Sequence, residues 1–447
     1  MELVHKGGIF RPLTENPFLR LATVFVFYIF EGVPMGLFYI AVPAYLAAQG
    51  ANAVMIAAVV SAFSLPWTFK LVNGFFMDRY TYLPMGRRRI WIIGSQSTMV
   101  AGFLAGALIG PGPGDIWLLS ALAFAISAAT TFQDVSIDSL VVDILDEEEQ
   151  AKAGGIMFGA QMIGLSSAGA AGGYLLEAGG FRLVSVAAAA LLSIGVGFAI
   201  LLRERPGEKR FPWGQGEPHP RNLAIRIDAW WPLLKQAFKA IFGGASLAIV
   251  PFLLIRNISG GVNDVWNPLL ASNFVGWSTT QFTNTFSLAG LGSGLVALAL
   301  GGILTAKIGS VRMIAAMFAM LALEYGAMAM LREQWSDARL LTAFLWLTEM
   351  TQILIAVAII PLAMQVCSPA VAATQFTIYM ALANFGRPIG AQMAGLIGRD
   401  DPQTLYLVLA AILASGSCGA MFLRRGQPSA AIARATHYGV GAAPEEN

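Results

Sequence analysis

The sequence predicts an all-α membrane protein, with twelve transmembrane helices in two six-helix bundles and both termini cytoplasmic. Three observations carry this. Of the 447 residues, 56% are hydrophobic and only 12% charged, with a mean hydropathy of +0.65; a soluble domain carries about twice that charge fraction. Apolar stretches of the roughly 20 residues needed to cross a bilayer recur from end to end. Lysine and arginine, finally, are distributed between the loops as membrane topology demands.

The stretches centre on 19–46, 53–77, 90–110, 116–141, 154–177 and 183–202, and then on 247–271, 282–306, 311–331, 339–363, 371–397 and 403–423. They divide the chain into a first bundle at 1–202, a cytoplasmic linker at 203–245, and a second bundle with its tail at 246–447. One side of the membrane receives Lys6, Arg11, Arg20, Arg79, Arg87, Arg88, Arg89, Lys152, the basic linker, Lys307, Arg312, Arg424, Arg425 and Arg434. The other receives only Arg182, Arg332, Arg339 and Arg399. The basic side is the cytoplasm. The first apolar run exceeds a signal-peptide core and lacks a small-residue cleavage site, so it is expected to stay as a membrane helix.

The linker has Pro-Gly and Pro-Trp-Gly steps that read as loop, and 228–242 reads as an amphipathic helix at the membrane surface. Its expected role is a tether. The net charge of +2 reflects topology and implies no nucleic-acid partner. Cys367 and Cys418 suggest neither a disulfide framework nor a metal site. His5, His219 and His437 all fall outside the apolar stretches, and there is no His-Glu-x-x-His pattern or Walker loop. The Gly-x-Gly-Asp string at Gly112 to Asp115 sits in a short external loop and reads as a turn. No enzyme activity, cofactor or metal is expected.

One motif occurs in both halves. Gly74-Phe75-Phe76-Met77-Asp78-Arg79 is followed by Gly86-Arg87-Arg88-Arg89, and Gly302 to Lys307 is followed by Gly309-Ser310-Val311-Arg312. This resembles the cytoplasmic signature loop of the major facilitator superfamily, with Ala306 where the first copy has Asp78. The resemblance implies a gate formed by Gly74, Asp78, Arg79 and Arg87. Physically, the glycine admits close helix contact, and Asp78 can accept from a cation or a helix N-terminus of the neighbouring bundle. A bare topology signal is the alternative. Gly159, Gly164, Gly169, Gly172 and Gly173 in the fifth stretch resemble the small-residue stripe along which bundles of such transporters move; plain helix packing would use the same residues.

Within that superfamily the chain resembles the AmpG-type permeases and the related acetyl-CoA transporters. Leu65 to Lys70, Gln133 to Asp138, and Ala373 to Thr377 with Ala383 to Arg387 carry this resemblance. It implies import of muropeptides across a bacterial inner membrane, driven by protons. Glu31 to Phe38 reads as much like a siderophore-importing branch. A non-transporting receptor or scaffold with the same fold is the reading from another class.

Polar groups inside the apolar stretches supply the candidate site. A carboxylate at membrane depth is costly, and it faces a partner or a water-filled cavity. Asp134 and Asp138 lie four apart on one helix face and, with Glu31, are the candidate proton carriers. Early exit of the helix, leaving both aspartates among headgroups, is the other reading. Lys70 and Arg387 each need a carboxylate, and Lys70 has the option of snorkelling towards the cytoplasm. Gln133, Lys70, Arg256, Asn263, Asp264, Trp266, Glu349, Gln352, Gln375, Tyr379, Asn384 and Arg387 form the candidate substrate site. Amides bond sugars and peptides, Trp266 offers a stacking face, and Arg256 suits a carboxylate. Asp264 could equally lie near the periplasmic end and be solvated. Glu324 is isolated and left out. The expected partners are a small solute, protons and lipid, with the protein as a monomer.

Overall fold

The computed structural model describes residues 11–225, 230–242, 244–367 and 372–426, and within them every regular element is helical. Lys6, His5, Arg226, Asp228, Arg434 and His437 lie outside the described residues. Helix α1 (Pro17–Gly36) starts at Asn16, whose side chain accepts from the Leu19 N–H at 3.1 Å, with Pro17 at the first helical position. Pro34 withdraws one backbone donor, and the chain widens into a π-turn at Leu37–Ala41 before α2 (Val42–Ala48). Helices α3 (Ala53–Thr68) and α4 (Lys70–Arg79) meet at a 46° bend. Then come α5 (Arg89–Ile109), α6 (Ile116–Ile144) and α7 (Glu147–Leu201). The last is two expected stretches in one run, broken at Gly179 and at Gly180, whose φ of +64° suits a residue without Cβ.

Short helices α8 (Pro220–Ala224) and α9 (Trp230–Ile241) occupy the linker, the latter where the amphipathic helix is expected. The second half follows with α10 (Gly244–Leu270), α11 (Thr279–Val296), α12 (Gly302–Ile308), α13 (Ser310–Met330), α14 (Ala338–Gln365), α15 (Ala372–Leu396) and α16 (Pro402–Gly426). Among the described residues, eight helices are long and apolar enough to cross a membrane, or nine if the bent α3–α4 pair is one span. Helices α10 and α15 are outside that set; they carry Arg256, Asp264 and Arg387 along their length.

Both halves use one packing device. A Cβ on Gly36 would lie 2.1 Å from the Leu165 carbonyl oxygen, and one on Gly164 would lie 2.2 Å from that of Ile29, so α1 and α7 touch backbone to backbone. In the second half, a Cβ on Gly261 would lie 2.0 Å from the Arg387 carbonyl oxygen and one on Gly390 1.9 Å from that of Ile258. Small residues thus bring α10 against α15 as they bring α1 against α7. Between the halves, α7 meets α11, where a Cβ on Gly173 would strike Thr283 Oγ1 at 2.1 Å.

The halves are also tied by hydrogen bonds at the end away from the signature loop. Glu177 of α7 accepts from the N–H and hydroxyl of Thr280 at 3.0 and 2.7 Å, and Ser272 donates to the Ala47 carbonyl at 3.2 Å. At the opposite end, the start of the linker is part of the first half rather than a loose tether. Glu204, 1% exposed, accepts from the backbone N–H groups of Arg87, Arg88 and Arg89 at 2.8, 2.6 and 2.5 Å. It thereby satisfies the otherwise open N-terminus of α5. Arg205 pairs with Asp143 at 2.8 Å.

Candidate functional site

Helix α6 points Gln133 and Asp134 into the first half, both buried, and holds Asp138 half-buried beside them. Asp134 is 5% exposed, and its Oδ2 accepts from Lys70 Nζ at 2.8 Å. Lys70 reaches it because the break before α4 turns the first residue of that helix inward. The lysine is paired and does not snorkel. Its Nζ also lies 5.8 Å from the Trp67 ring centre. Asp138 accepts from the Tyr28 hydroxyl. Glu31 is fully buried; one oxygen accepts from Gln161 Nε2 at 2.6 Å and the other has no partner. Gln133 donates to the Phe27 carbonyl at 2.9 Å. Glu31 and Asp138 also lie within electrostatic reach of Lys70 and of Asp134, so three carboxylates neighbour this ammonium group.

The second half holds a separate constellation. Arg387 of α15 forks onto Asp264 of α10, Nε to Oδ2 at 2.6 Å and Nη2 to Oδ1 at 2.9 Å. Asp264 is 5% exposed, which removes the reading of a solvated periplasmic residue. The guanidinium carbon of Arg387 sits 3.7 Å from the ring centre of Tyr39, a residue of the first half. Arg256 is different: its Nε donates to the Gln352 carbonyl at 3.4 Å, and no carboxylate of the described residues lies in ion-pair range. Gln352 donates to Ser259 at 3.0 Å, and Asn263 accepts from Tyr325 at 2.6 Å while its amide nitrogen is buried without a partner.

These groups enclose a central cavity of about 150 Å³ between the halves, with Tyr39, Ser166, Arg256, Asn263, Asp264, Glu349, Gln352 and Arg387 in its wall. A second cavity of about 470 Å³ lies towards the signature loop, between Lys70, Arg88, Asp138 and Asp143 on one side and Phe376, Thr377 and Met380 of α15 on the other.

Several expected residues stand elsewhere. Trp266 is 6% exposed, packs beside Gly398, and offers no free face to the cavity. Gln375 donates to Tyr379 at 2.7 Å, both buried away from the central cavity. Asn384 donates to the Trp67 carbonyl at 3.3 Å and so ties α15 to α3. In the gate, Asp78 pairs with Arg87 at 3.0 Å and Arg88 at 2.6 Å, inside its own loop rather than across to the neighbouring bundle. Arg79 is exposed. A Cβ on Gly74 would meet Val135 at an ordinary 3.8 Å, so no close helix contact requires that glycine here. Tyr28, Tyr39, Gln161, Ser166 and Arg88 were not among the expected residues. Gln161 was detectable as an amide in an apolar stretch; Tyr39 and Ser166 gave no such signal.

The model of the Major Facilitator Superfamily matches residues 24–391. The chain belongs to that superfamily. The anhydromuropeptide permease of Escherichia coli (strain K12) is 32% identical over 90 residues, which span 20% of this chain and 18% of that relative. A crystal structure of the nucleoside transporter NupG aligns with a TM-score of 0.66 at 15% identity, covering 91% of this chain and 99% of that one. A POT family transporter in complex with a thioalcohol-conjugated peptide aligns with a TM-score of 0.67 at 11% identity, covering 91% and 96%. At such identities the two structures establish the fold alone. This member of the superfamily is thus a transporter and not an enzyme.

Proposed function

We propose that the transporter imports a muropeptide or similar sugar-peptide across a bacterial inner membrane together with protons. It does so as a monomer with twelve crossings and both termini in the cytoplasm. What supports this is the first-half cluster, where Asp134 pairs with Lys70 and both Glu31 and Asp138 lie within reach of the same ammonium charge. Three negative charges against one positive at membrane depth are strongly unfavourable, and a bound proton relieves them. The cluster borders the cavity that opens towards the signature loop through Lys70 and Asp138, so a proton carried there has a way out on that side. The match to an anhydromuropeptide permease over 90 residues supports the substrate.

The central cavity, at about 150 Å³, admits an amino-acid-sized group and not a whole sugar-peptide. Passage therefore requires the halves to part, which the ties at Glu177 and Ser272 oppose at the outer end in this conformation. The membrane potential supplies about 2.3 kcal/mol per charge per 100 mV, enough for roughly fifty-fold accumulation. The test is uptake of a labelled anhydromuropeptide into proteoliposomes under an imposed proton gradient. Accumulation that collapses with a protonophore is expected; accumulation indifferent to the gradient would remove the proton from the mechanism.

A further inference from the structure

The central cavity holds one guanidinium and one carboxylate that make no salt bridge among the described residues, and we infer that it seats a zwitterion: a ligand carboxylate on Arg256 and a ligand ammonium on Glu349. The inference rests on the transport reading above and gives the charge class of what is carried.

Six cations lie within the expected membrane stretches; Arg20, Arg312 and Arg339 are within two residues of an end, and Lys70, Arg256 and Arg387 lie deeper. Lys70 and Arg387 have carboxylates at 2.8 Å and at 2.6 and 2.9 Å. Arg256 has only a carbonyl at 3.4 Å on its Nε, which leaves both terminal nitrogens without a described partner. Glu349, on the facing helix α14, has no hydrogen bond or ion pair among the described residues. Both line the same enclosed space. Both are only partly exposed and feel each other's charge without forming a salt bridge; a ligand group that meets each one directly gives energy to recognition.

Charge balance selects the ligand class. Asp264 and Arg387 neutralise each other through a two-bond fork, so the remaining pair is one guanidinium and one carboxylate. A simple anion would answer Arg256 and place its own charge against Glu349. A simple cation would do the reverse. A molecule with both groups answers both and leaves the cavity neutral. The guanidinium edge matches a carboxylate two bonds at a time, and the carboxylate of Glu349 accepts from an ammonium. Ser166 Oγ and Asn263 Nδ2, 1% and 3% exposed by residue, are buried without partners in the same wall. They are placed to bond amide or hydroxyl groups beside the charged end. The cavity of about 150 Å³ holds such an end and little more.

The experiment measures binding to the purified full-length transporter by calorimetry, with two scaffolds. One is a sugar-linked peptide ending in a diamino acid, and the other is the same peptide without the sugar. Each is used with both charges free, with the amine acetylated, and with the carboxylate amidated. In the wild type, either block should weaken binding by about tenfold or more, the scale of one charge-assisted hydrogen bond. Glu349→Gln should erase the difference between free and acetylated ligand while keeping that between free and amidated. Arg256→Gln should do the opposite. The wild-type series decides the matter even where a variant fails to fold. Acetylation without loss would overturn the assignment and leave Glu349 as a proton site beside an anion. Equal losses for free and acetylated ligand in Glu349→Gln would overturn it too, as would failure of both free scaffolds to bind. Binding of the sugar-free peptide alone, with the charge pattern intact, keeps the zwitterion site and rejects the sugar-peptide substrate.

Discussion

Arg387 of the second half lies flat against Tyr39 of the first, its guanidinium carbon 3.7 Å from the ring centre, while the same guanidinium forks onto Asp264. One side chain therefore closes an ion pair within its own half and a cation–π contact across to the other half, in the wall of the central cavity. Parting of the halves should break the second contact and leave the first, because Tyr39 is in the other half and Asp264 in the same one. Tyr39→Phe keeps the ring and should transport within about twofold of wild type, since the cation–π term survives. Tyr39→Leu removes it, at about 0.5–2 kcal/mol, and should favour the parted state. The check is the accessibility of a cysteine introduced at Ser166, which rises in Tyr39→Leu and stays at the parental level in Tyr39→Phe.

Within the second half, Arg387→Lys keeps the charge and loses the planar fork. Uptake should fall by at least about tenfold, because one of two charge-assisted bonds to a buried Asp264 disappears. Arg387→Ala leaves Asp264 alone in the cavity wall, and removal of one partner of a buried pair costs about 3–5 kcal/mol. Thermal denaturation of the purified variants checks the order: alanine well below lysine, lysine below wild type. Full uptake by the lysine variant would reduce Arg387 to a charge-balancing role.

The outer tie offers a third prediction. Glu177 accepts two hydrogen bonds from Thr280, at the start of α11, and one of them is a backbone donor that the helix itself leaves open. Glu177→Gln removes the charge that favours this N-terminus, and Glu177→Ala removes the acceptor. Both should shift the population towards the outward-parted state, alanine more than glutamine. Thiol labelling from outside, at the same Ser166→Cys position, reads this; unchanged labelling in Glu177→Ala would show that Ser272 and helix packing hold that end by themselves.

Much of this was legible in the sequence because it follows from solvent. Long apolar stretches and sidedness of cations place helices without any contact being known, and buried Asp134, Glu31 and Asp264 were recognisable as charges where lipid should be. What was not legible depends on three-dimensional partners. Lys70 needs a carboxylate, but that it is Asp134 depends on the bend between α3 and α4 beside Pro66 and Phe69. Asp78 was expected to cross to the other bundle, and instead the backbone turn at Gly86, held by Glu204, brings Arg87 and Arg88 back onto it. Trp266, an obvious stacking face in the sequence, is consumed by packing.

The linker strap should respond to pH. Burial and the neighbouring Glu204 charge push Glu208 up to about 8. A carboxylate whose pKa is higher folded than unfolded holds its proton in the folded state over the window between the two values. Its contribution to stability is therefore greatest below the unfolded value of 4.5 and declines as pH rises towards 8. Protection of the amides at 203–210 against hydrogen exchange, corrected for intrinsic rate, should fall between pH 5 and 8. Glu208→Gln stays neutral and should flatten that dependence while raising protection at pH 8. A wild-type strap whose protection rises with pH would reverse the assignment.

The coupling group is the most consequential residue to test. Asp134 holds the only salt bridge that Lys70 makes among the described residues, yet Asp138 and Glu31 stand close by with one hydrogen bond each to Tyr28 and Gln161. In Asp134→Asn, two carboxylates remain to balance one ammonium, so the excess negative charge that calls for a proton is reduced from two to one. Lys70 then has Asp138 or Glu31 to turn to, and the variant should fold. Proton-driven accumulation of anhydromuropeptide should be lost, while exchange of labelled for unlabelled solute without a gradient continues, because exchange needs the halves to rock but no net proton transfer. Lys70→Met with Asp134→Asn restores the original excess of two, now carried by Glu31 and Asp138 alone, and should behave like the single variant if Asp134 is the carrier. Proteoliposome uptake and exchange, measured side by side, separate the cases. Asp134→Asn that still concentrates solute, and discharges it on adding a protonophore, would move the carrier to Glu31, whose second oxygen is buried with no hydrogen bond to hold it.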